Sequence, residues 1–252
     1  MKNNITALLN TSFTGINFKK KGYYFFKSIN DNVYASIGYT TSGQRCIGHT
    51  LINPIIGIVF DDVNLLYDEL CGCKHILAPT LWTPIGYLMP EKRYKEWSLV
   101  DNGENKGVLS DMLVAIQKYG GLYWEKMSDF DNLFTTILAK PIGLLNDRRN
   151  RLLPILYYMR GEKEKGQQII DDAITEYKRR KTDKELISDM PKSWRENATV
   201  FRAGEENWDM NDLEKALNNN KCSVSVVNIV GSGYNGFVDP EYLKFAARYK
   251  NL

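Results

Sequence analysis

The sequence predicts an α+β protein, in which an N-terminal antiparallel β-meander is packed by helices and followed by a mainly helical part. Two observations support this class. Residues 22–60 hold three stretches of β-branched and aromatic residues separated by short turn signals, and short connections favour antiparallel pairing. Later, apolar residues recur at helical spacing, with one late strand, Cys222–Val230. We expect two domains, residues 1–143 and 144–252, or one domain if the late strand joins the first sheet.

The three predicted strands differ in composition. Gly22–Ile29 is aromatic-rich, Val33–Thr41 alternates apolar and small residues, and the third stretch runs from Cys46 to Phe60 with many isoleucines. The basic run Lys19–Lys21 before the first strand is typical of a solvated turn. The antiparallel arrangement leaves one face of the sheet to be buried by the helices that follow.

Helices are predicted where apolar residues recur at i, i+3, i+4 and i+7. Residues 3–13 predict a lead-in helix, and Asp61-Asp62 opens the next one, since acidic residues suit a helix N-terminus. Another helix is expected to end at Gly120-Gly121, and the following one to be capped by Ser128. The later predicted helices are Leu152–Met159 with Pro154 in its first turn, Glu162–Arg180 joined to it at Gly161, Asp209–Leu217, and a final helix opened by Asp239 and Pro240.

The composition argues against several classes of protein. Hydrophobic residues make up 43% and charged residues 25% of the chain, which is typical of a globular protein. The net charge is +3 and neither half of the chain is strongly unbalanced, so a nucleic-acid-binding protein is not favoured. The N-terminus has no signal-like apolar run, and the longest apolar run, Leu51–Phe60, is too short to cross a bilayer. Four cysteines do not indicate a disulfide framework, so we expect a cytoplasmic protein without membrane contact.

One literal motif follows the late strand. Gly231–Gly236 matches the G-x-G-x-x-G pattern of dinucleotide-binding loops. The next helix begins only at Asp239-Pro240, and the chain ends 16 residues after Gly236, which leaves no room for the following strand and its ribose-binding acid. The pattern therefore favours a glycine-rich connection, and a small-ligand site in this loop stays open as an alternative.

A cluster of thiols and imidazoles follows the sheet. Cys71, Cys73 and His75 lie close in sequence, with Cys46 and His49 upstream, and these are ligand types that zinc prefers. The spacing is C-x-C and lacks the usual C-x2-C, so a metal site at Cys71, Cys73 and His75 is the weaker alternative. The same residues supply a Cys–His nucleophile pair for a hydrolase or transferase. The favoured interpretation is buried cysteines beside a loop histidine, with no cofactor and no catalytic residue.

Part of the chain resembles a known group of proteins. The segments Phe18–Phe26, Ile37–Gly43 and Asn53–Gly57 are similar to a large group of uncharacterised bacterial domains. In that group a lysine-rich F-K-K-x-G segment leads into an aromatic strand and a meander, followed by helices. Some members accompany secreted toxins as immunity or interaction proteins, so the resemblance implies an immunity-like role. It implies no active-site residues.

The leading expectation is a non-catalytic, cytoplasmic module that binds another protein. Its predicted contact surface combines the Pro- and aromatic-rich stretch Trp82–Trp97 with the loop Gly231–Phe237, because functional contacts concentrate in exposed loops and aromatic residues often anchor interfaces. The partner-binding residues predicted from this composition are Trp82, Tyr87, Trp97, Tyr234 and Phe237.

Overall fold

A computed structural model of the chain describes residues 2–42, 48–100, 104–141, 144–179 and 240–252. The chain forms two compact units, Met1–Gly166 and Gln167–Leu252. The first unit contains a six-stranded antiparallel sheet followed by helices, which confirms the predicted α+β class.

The elements of the first unit follow one another in a simple order. They are α1 (Lys2–Gly15), β1 (Lys19–Lys21), β2 (Tyr24–Ser28), β3 (Val33–Ser42), β4 (His49–Phe60), α2 (Asp61–Cys71), β5 (Leu81–Pro84), a 3₁₀ turn (Ile85–Tyr87), β6 (Trp97–Val100), α3 (Lys106–Ala115), a π-helical turn (Ile116–Gly120), α4 (Gly121–Met127), α5 (Phe130–Leu138) and α6 (Asn146–Met159). Helix α7 (Lys163–Arg179) begins in the first unit and α8 (Pro240–Lys250) lies in the second.

The sheet has the strand order β1-β2-β3-β4-β5, and β6 pairs with β4 as well. β5 pairs with Ile55–Ile58 and β6 with His49–Ile52, so both lie along the edge of β4 that β3 leaves free. The three predicted strands are confirmed. The predicted turn at Lys19–Lys21 is wrong, because these residues form edge strand β1 and pair with β2. Their exposed side chains suit an edge, where lysine discourages pairing with other chains.

One face of the sheet is covered by helices and forms the main core. Phe13 of α1 packs edge-on against Phe25 of β2, with ring centroids 5.0 Å apart. On the same face, a Cβ at Gly120 would lie 3.5 Å from Ile56 Cδ1, so the π-helical turn rests on the middle of β4. The Trp124 indole N–H donates to the Gly57 carbonyl oxygen at 2.9 Å, which ties α4 to the same strand.

The predicted helix end at Gly120-Gly121 is wrong. Both glycines have right-handed helical dihedrals, and the helix continues through them into α4. Gly120 is needed for close packing rather than for a turn, since a Cβ there would lie 3.1 Å from the Trp124 ring. The next cap is one residue later than predicted, because Asp129 accepts from the Asn132 backbone N–H at 2.8 Å.

The predicted position of Pro154 in the first turn of a helix is wrong. Helix α6 begins at Asn146, so Pro154 lies in the interior of the helix. The charged first turn is helical because its arginines bind neighbouring segments. Arg148 donates to the Pro79 carbonyl oxygen at 2.6 Å, and Arg149 to the Leu138 carbonyl oxygen at 3.0 Å. These contacts hold α6 in the first unit, which extends to Gly166 and therefore beyond the predicted division after residue 143.

A side chain closes one end of the sheet. The Val100 backbone N–H donates to Asn105 Oδ1 at 2.8 Å, and Asn105 Nδ2 donates to the Val100 carbonyl oxygen at 2.9 Å. Asn105 is buried while it does this, so its amide is fixed in place beside β6.

The second unit contains most of α7, and α8. The predicted helices Glu162–Arg180 and the one starting at Pro240 are confirmed within a residue. Along α8, Tyr242, Phe245 and Tyr249 are buried, and successive rings stack with centroids 5.8 and 6.4 Å apart. The predicted helix Asp209–Leu217 and strand Cys222–Val230 lie outside the described residues. In the part of the chain that is described, every helix is too short or too polar to cross a membrane.

Candidate functional site

The second face of the sheet is covered over only part of its width. Residues paired directly across antiparallel strands point to the same face. Ser36, Gly57 and Trp82 therefore form one cross-strand row on this face. Pro79 covers the middle of that row, since a Cβ at Gly57 would lie 2.8 Å from Pro79 Cβ.

The neighbouring row is open. It consists of Tyr24, Gly38, Ile55 and Pro84, which we call the open row. The three side chains in it are half-buried, and the Tyr24 ring lies over Gly38, where a Cβ would be 3.0 Å from the ring. The row therefore forms a shallow apolar strip whose side chains remain partly exposed in the described part of the chain.

A small pocket lies at the edge of this face. Trp82 is 36% exposed and Leu145, at the start of α6, is 75% exposed. Both line one pocket of about 100 Å³, which we call the Trp82 pocket. Small-molecule sites usually measure roughly 300–1,000 Å³, so this pocket has room for one side chain of a partner rather than for a free ligand. Its lining residues are Thr80, Leu81, Trp82, Leu144, Leu145 and Arg148.

Arg148 forms the polar wall of the Trp82 pocket. Its Nη2 donates to the carbonyl oxygens of Pro79 at 2.6 Å and Thr80 at 3.3 Å, which fixes the guanidinium against the segment before β5. Its Nε is buried and has no hydrogen-bond partner within the described ranges. The pocket therefore combines a rigid cation with two exposed apolar side chains.

A second, larger cavity lies between the 3₁₀ turn and the segment that leads to β6. It measures about 360 Å³ and its charges are mixed, so it has no net preference for an anion or a cation. The Tyr94 hydroxyl donates to Glu96 at 2.7 Å, so two polar side chains at the rim of this cavity bind each other. The lining residues are Gly86, Met89, Glu91, Arg93, Tyr94, Lys95 and Glu96.

The aromatic residues predicted for partner binding lie in different environments. Trp82 is on the surface and Tyr87 is half-buried in the 3₁₀ turn. Trp97 is only 4% exposed, and its indole N–H donates to Asp111 at 2.7 Å, so the expectation of an exposed contact residue is corrected there. Its register opposite Ile52 directs it into the helix-covered face. Tyr234 and Phe237, with the Gly231–Gly236 loop, lie outside the described residues.

His75 fastens the segment after α2 back onto that helix. Its Nδ1 lies 3.0 Å from Asp68 Oδ2 and its Nε2 lies 3.1 Å from Asp61 Oδ1. The second contact is close enough for an ion pair but does not have the geometry of a hydrogen bond. Asp61 Oδ1 is buried and accepts no hydrogen bond from the described residues. Both ring nitrogens therefore face carboxylates, which suits an anchoring role.

The thiols do not join this histidine. Cys71 accepts from Arg151 Nη1 at 3.9 Å, and the Cys73 thiol donates to the Cys71 carbonyl oxygen at 3.9 Å. Burial raises the pKa of the Cys71 thiol, although Arg151 opposes the shift, so the protonated thiol is favoured over the reactive thiolate.

The other predicted Cys–His and metal groupings are not assembled in the described part of the chain. His49 lies at the first residue of β4, where its Nδ1 is 3.0 Å from Ser98 Oγ of β6. Among the described residues, no three His, Cys, Asp or Glu side chains are grouped as a metal site. Cys46 and Cys222 lie outside those residues.

Sequence reasoning missed two residues of the Trp82 pocket, Leu145 and Arg148. Leu144-Leu145 is an apolar pair directly before the charged first turn of α6, and an apolar pair in so polar a setting is a signal for a surface contact.

No protein-family model, curated protein or solved structure matches this chain. The resemblance carried by Phe18–Gly57 therefore stays a prediction. A function for the chain has to come from the geometry of its own surface.

Proposed function

We propose that this chain is a non-catalytic protein-interaction module, which binds a protein partner at the Trp82 pocket and along the open row. One observation carries the proposal. Trp82 and Leu145 are both exposed beside a pocket of about 100 Å³ whose polar wall is the fixed guanidinium of Arg148.

The chemistry of the Trp82 pocket is that of a protein interface. Tryptophan and arginine are the residue types most enriched among energetically dominant interface positions. An apolar side chain of the partner fills the pocket between Trp82 and Leu145, and the open row extends the contact across the sheet. Isolated exposed apolar residues are ordinary on protein surfaces, but two that flank one concave site are typical of a docking point.

The setting of this function is proposed on separate grounds. Cys71 and Cys73 are free thiols, and Cys73 is exposed, which supports a reducing compartment such as the cytoplasm. An immunity-like role is supported by the resemblance of the N-terminal portion alone. The enzyme alternative is disfavoured because the Cys71 and Cys73 thiols contact Arg151 and a backbone carbonyl rather than a histidine, and burial raises the pKa of Cys71.

The proposal is tested by capture of proteins from a lysate of the source cells on the immobilised full-length chain, with Trp82→Ala and Leu145→Asp variants in parallel. We expect one or a few proteins to be retained by the wild-type chain and at least about tenfold less by either variant, because loss of a central anchor typically weakens binding by about 2 kcal/mol or more. Quantitative mass spectrometry of the retained proteins measures this.

Leu122→Asp is the matched control. Leu122 is 61% exposed on α4, does not line the Trp82 pocket, and receives the same apolar-to-acidic change as Leu145. Capture should survive in this variant. Retention that is the same for wild-type, Trp82→Ala and Leu145→Asp would refute the proposed surface.

A further inference from the structure

The net positive charge of this chain comes from its first 30 residues. The first 30 residues contain five lysines and no acidic residue, whereas residues 31–252 contain 28 Lys and Arg against 30 Asp and Glu. The excess positive charge of the whole protein therefore resides in the first 30 residues.

The fold gathers four of these lysines on one hairpin. β1, β2 and the turn between them form what we call the lysine hairpin, residues 19–28. Lys19, Lys20, Lys21 and Lys27 are all exposed, and none of the six described strands contains an acidic residue. The nearest acid in sequence, Asp31, follows β2 at the end opposite to the turn.

These lysines are not neutralised by the described part of the chain. Lys20 Nζ donates to Asn10 Oδ1 at 3.1 Å and lies 5.7 Å from the centre of the Phe25 ring, so its contacts are with neutral groups. No carboxylate of the described residues forms an ion pair with Lys19, Lys21 or Lys27. The hairpin thus keeps its positive field available for a partner.

An exposed aromatic residue lies at the turn of the lysine hairpin. Tyr23 is 93% exposed, more than any other large hydrophobic side chain in the described part of the chain. Phe25 and Phe26, which follow it, are buried in the sheet. Tyrosine supplies contact area with little loss of side-chain entropy, and so it is favoured at protein interfaces.

Two other classes of anionic partner fit this hairpin less well. Single-stranded nucleic acid is bound by stacking of successive bases on several aromatic rings, but the Tyr24 ring packs over Gly38 and leaves Tyr23 as the one fully exposed ring of the hairpin. The first 30 residues also contain no arginine, the side chain best suited to phosphate. A membrane surface is bound through an exposed apolar face, whereas Phe25 and Phe26 of the hairpin are both buried within the protein.

We propose that the lysine hairpin binds an acidic segment of the same protein partner that occupies the Trp82 pocket. This inference rests on the proposed function and adds the chemistry of the partner. Lys19 and Trp82 belong to one cross-strand row on the same face of the sheet, at its opposite edges. Four strand spacings separate them, which is about 19 Å. An extended partner segment covers this distance with about six residues between its apolar anchor and its acidic residues.

The experiment is a selection of peptides from a displayed random library on the full-length chain. Enriched peptides are synthesised with a fluorescent label, and their affinities are measured by anisotropy for wild-type protein and for Lys19→Glu/Lys21→Glu. We expect the enriched peptides to carry clustered Asp or Glu about six residues from an apolar residue. Their affinity should fall at least about tenfold in the double variant and should weaken with added salt, since exposed charges are screened.

The matched control is Lys106→Glu/Lys126→Glu, which changes the net charge equally at two exposed lysines of α3 and α4. It should alter affinity less than about twofold, because neither lysine belongs to the lysine hairpin or to the residues that line the Trp82 pocket. Enriched peptides without acidic residues, or equal losses in both double variants, would overturn the inference. So would tighter binding of an oligothymidylate or of phosphatidylserine vesicles than of any selected peptide.

The outcome separates this inference from the proposed function. Peptides whose binding is lost in Trp82→Ala but unchanged in Lys19→Glu/Lys21→Glu support the Trp82 pocket and refute the acidic partner. Peptides with the opposite response support an acidic partner at the lysine hairpin and refute its sharing of the Trp82 pocket.

Discussion

β5 and β6 are short strands of four residues each, both pair with the same edge of β4, and each carries one tryptophan. Trp82 of β5 is 36% exposed, whereas Trp97 of β6 is 4% exposed and hydrogen-bonded to Asp111. Two strands of equal length on the same edge thus place their tryptophans in opposite settings, one at a candidate interface and one in the core.

The difference comes from the register of pairing with β4. Trp82 lies opposite Gly57 and Trp97 opposite Ile52, and odd- and even-numbered residues of β4 point to opposite faces of the sheet. A shift of one residue in either strand would move its tryptophan to the opposite face of the sheet. The number of aromatic residues in a segment therefore does not indicate a binding surface until the face of the sheet on which each one lies is known.

The largest expected effect is on the buried member of the pair. Trp97→Ala should lower the free energy of unfolding by about 3–5 kcal/mol, because it leaves a cavity and removes the partner of Asp111. Trp82→Ala should lower it by about 1 kcal/mol or less, because its side chain is partly exposed. Urea denaturation of the full-length variants, followed by tryptophan fluorescence and circular dichroism, measures both values.

Equal destabilisation by the two alanine variants would contradict the assignment of Trp97 to the core and Trp82 to the surface. If Trp97→Ala does not fold, Trp97→Phe serves in its place. That variant retains much of the ring but not the N–H that donates to Asp111, so it should still be less stable than Trp82→Phe.

A smaller effect should distinguish the covered and open rows of the same face. A Cβ at Gly57 would lie 2.8 Å from Pro79 and 2.5 Å from Ser36 Oγ, so Gly57→Ala should cost about 1–3 kcal/mol through overpacking. A Cβ at Gly38 would meet the edge of the Tyr24 ring at 3.0 Å, and a half-exposed ring can rotate away. Gly38→Ala should therefore cost less than about 1 kcal/mol, and thermal denaturation of the two variants compares them. An equal loss of unfolding free energy in Gly38→Ala and Gly57→Ala would show that the open row is as tightly covered as its neighbour.

The smallest effect concerns chemical reactivity and leaves the fold unchanged. Cys71 and Cys73 form another pair of like residues in unlike settings, one half-buried and one exposed. Burial raises the pKa of Cys71, so its thiolate fraction at neutral pH is reduced and its alkylation should rise only at more alkaline pH. Iodoacetamide at neutral pH should therefore label Cys73 before Cys71, which peptide mass spectrometry resolves. Labelling of Cys71 as fast as Cys73 at neutral pH would revive a reactive-thiol function.

The sequence predicted the parts of the fold that local patterns encode. The alternation along β3 and the acidic opening of α2 are such patterns, and both elements were found. The predictions failed where distant contacts override local preference. Gly120 was expected to end a helix, but it lies inside one because Trp124 and Ile56 need the space beside it.

The candidate site was only partly predictable. Composition pointed to the segment around Trp82, but β5 is too short to show an alternation from which its outward face could be derived. Leu145 and Arg148 are more than sixty residues away in sequence, and their place beside Trp82 depends on how α6 packs. Tyr23 and the lysines of β1 belonged to a stretch predicted as a turn followed by a strand, so their joint exposure on one hairpin became visible only in the structure.

The buried amide of Asn105 has a consequence for how any partner approaches. By bonding both the N–H and the carbonyl of Val100, it acts as a surrogate peptide unit and occupies the position that an incoming strand would take. Lateral extension of the sheet is thereby obstructed at β6. A molecule that reaches this end of the protein has to settle on top of the strands and use side chains, which makes recognition there depend on residue identity more than on backbone pairing.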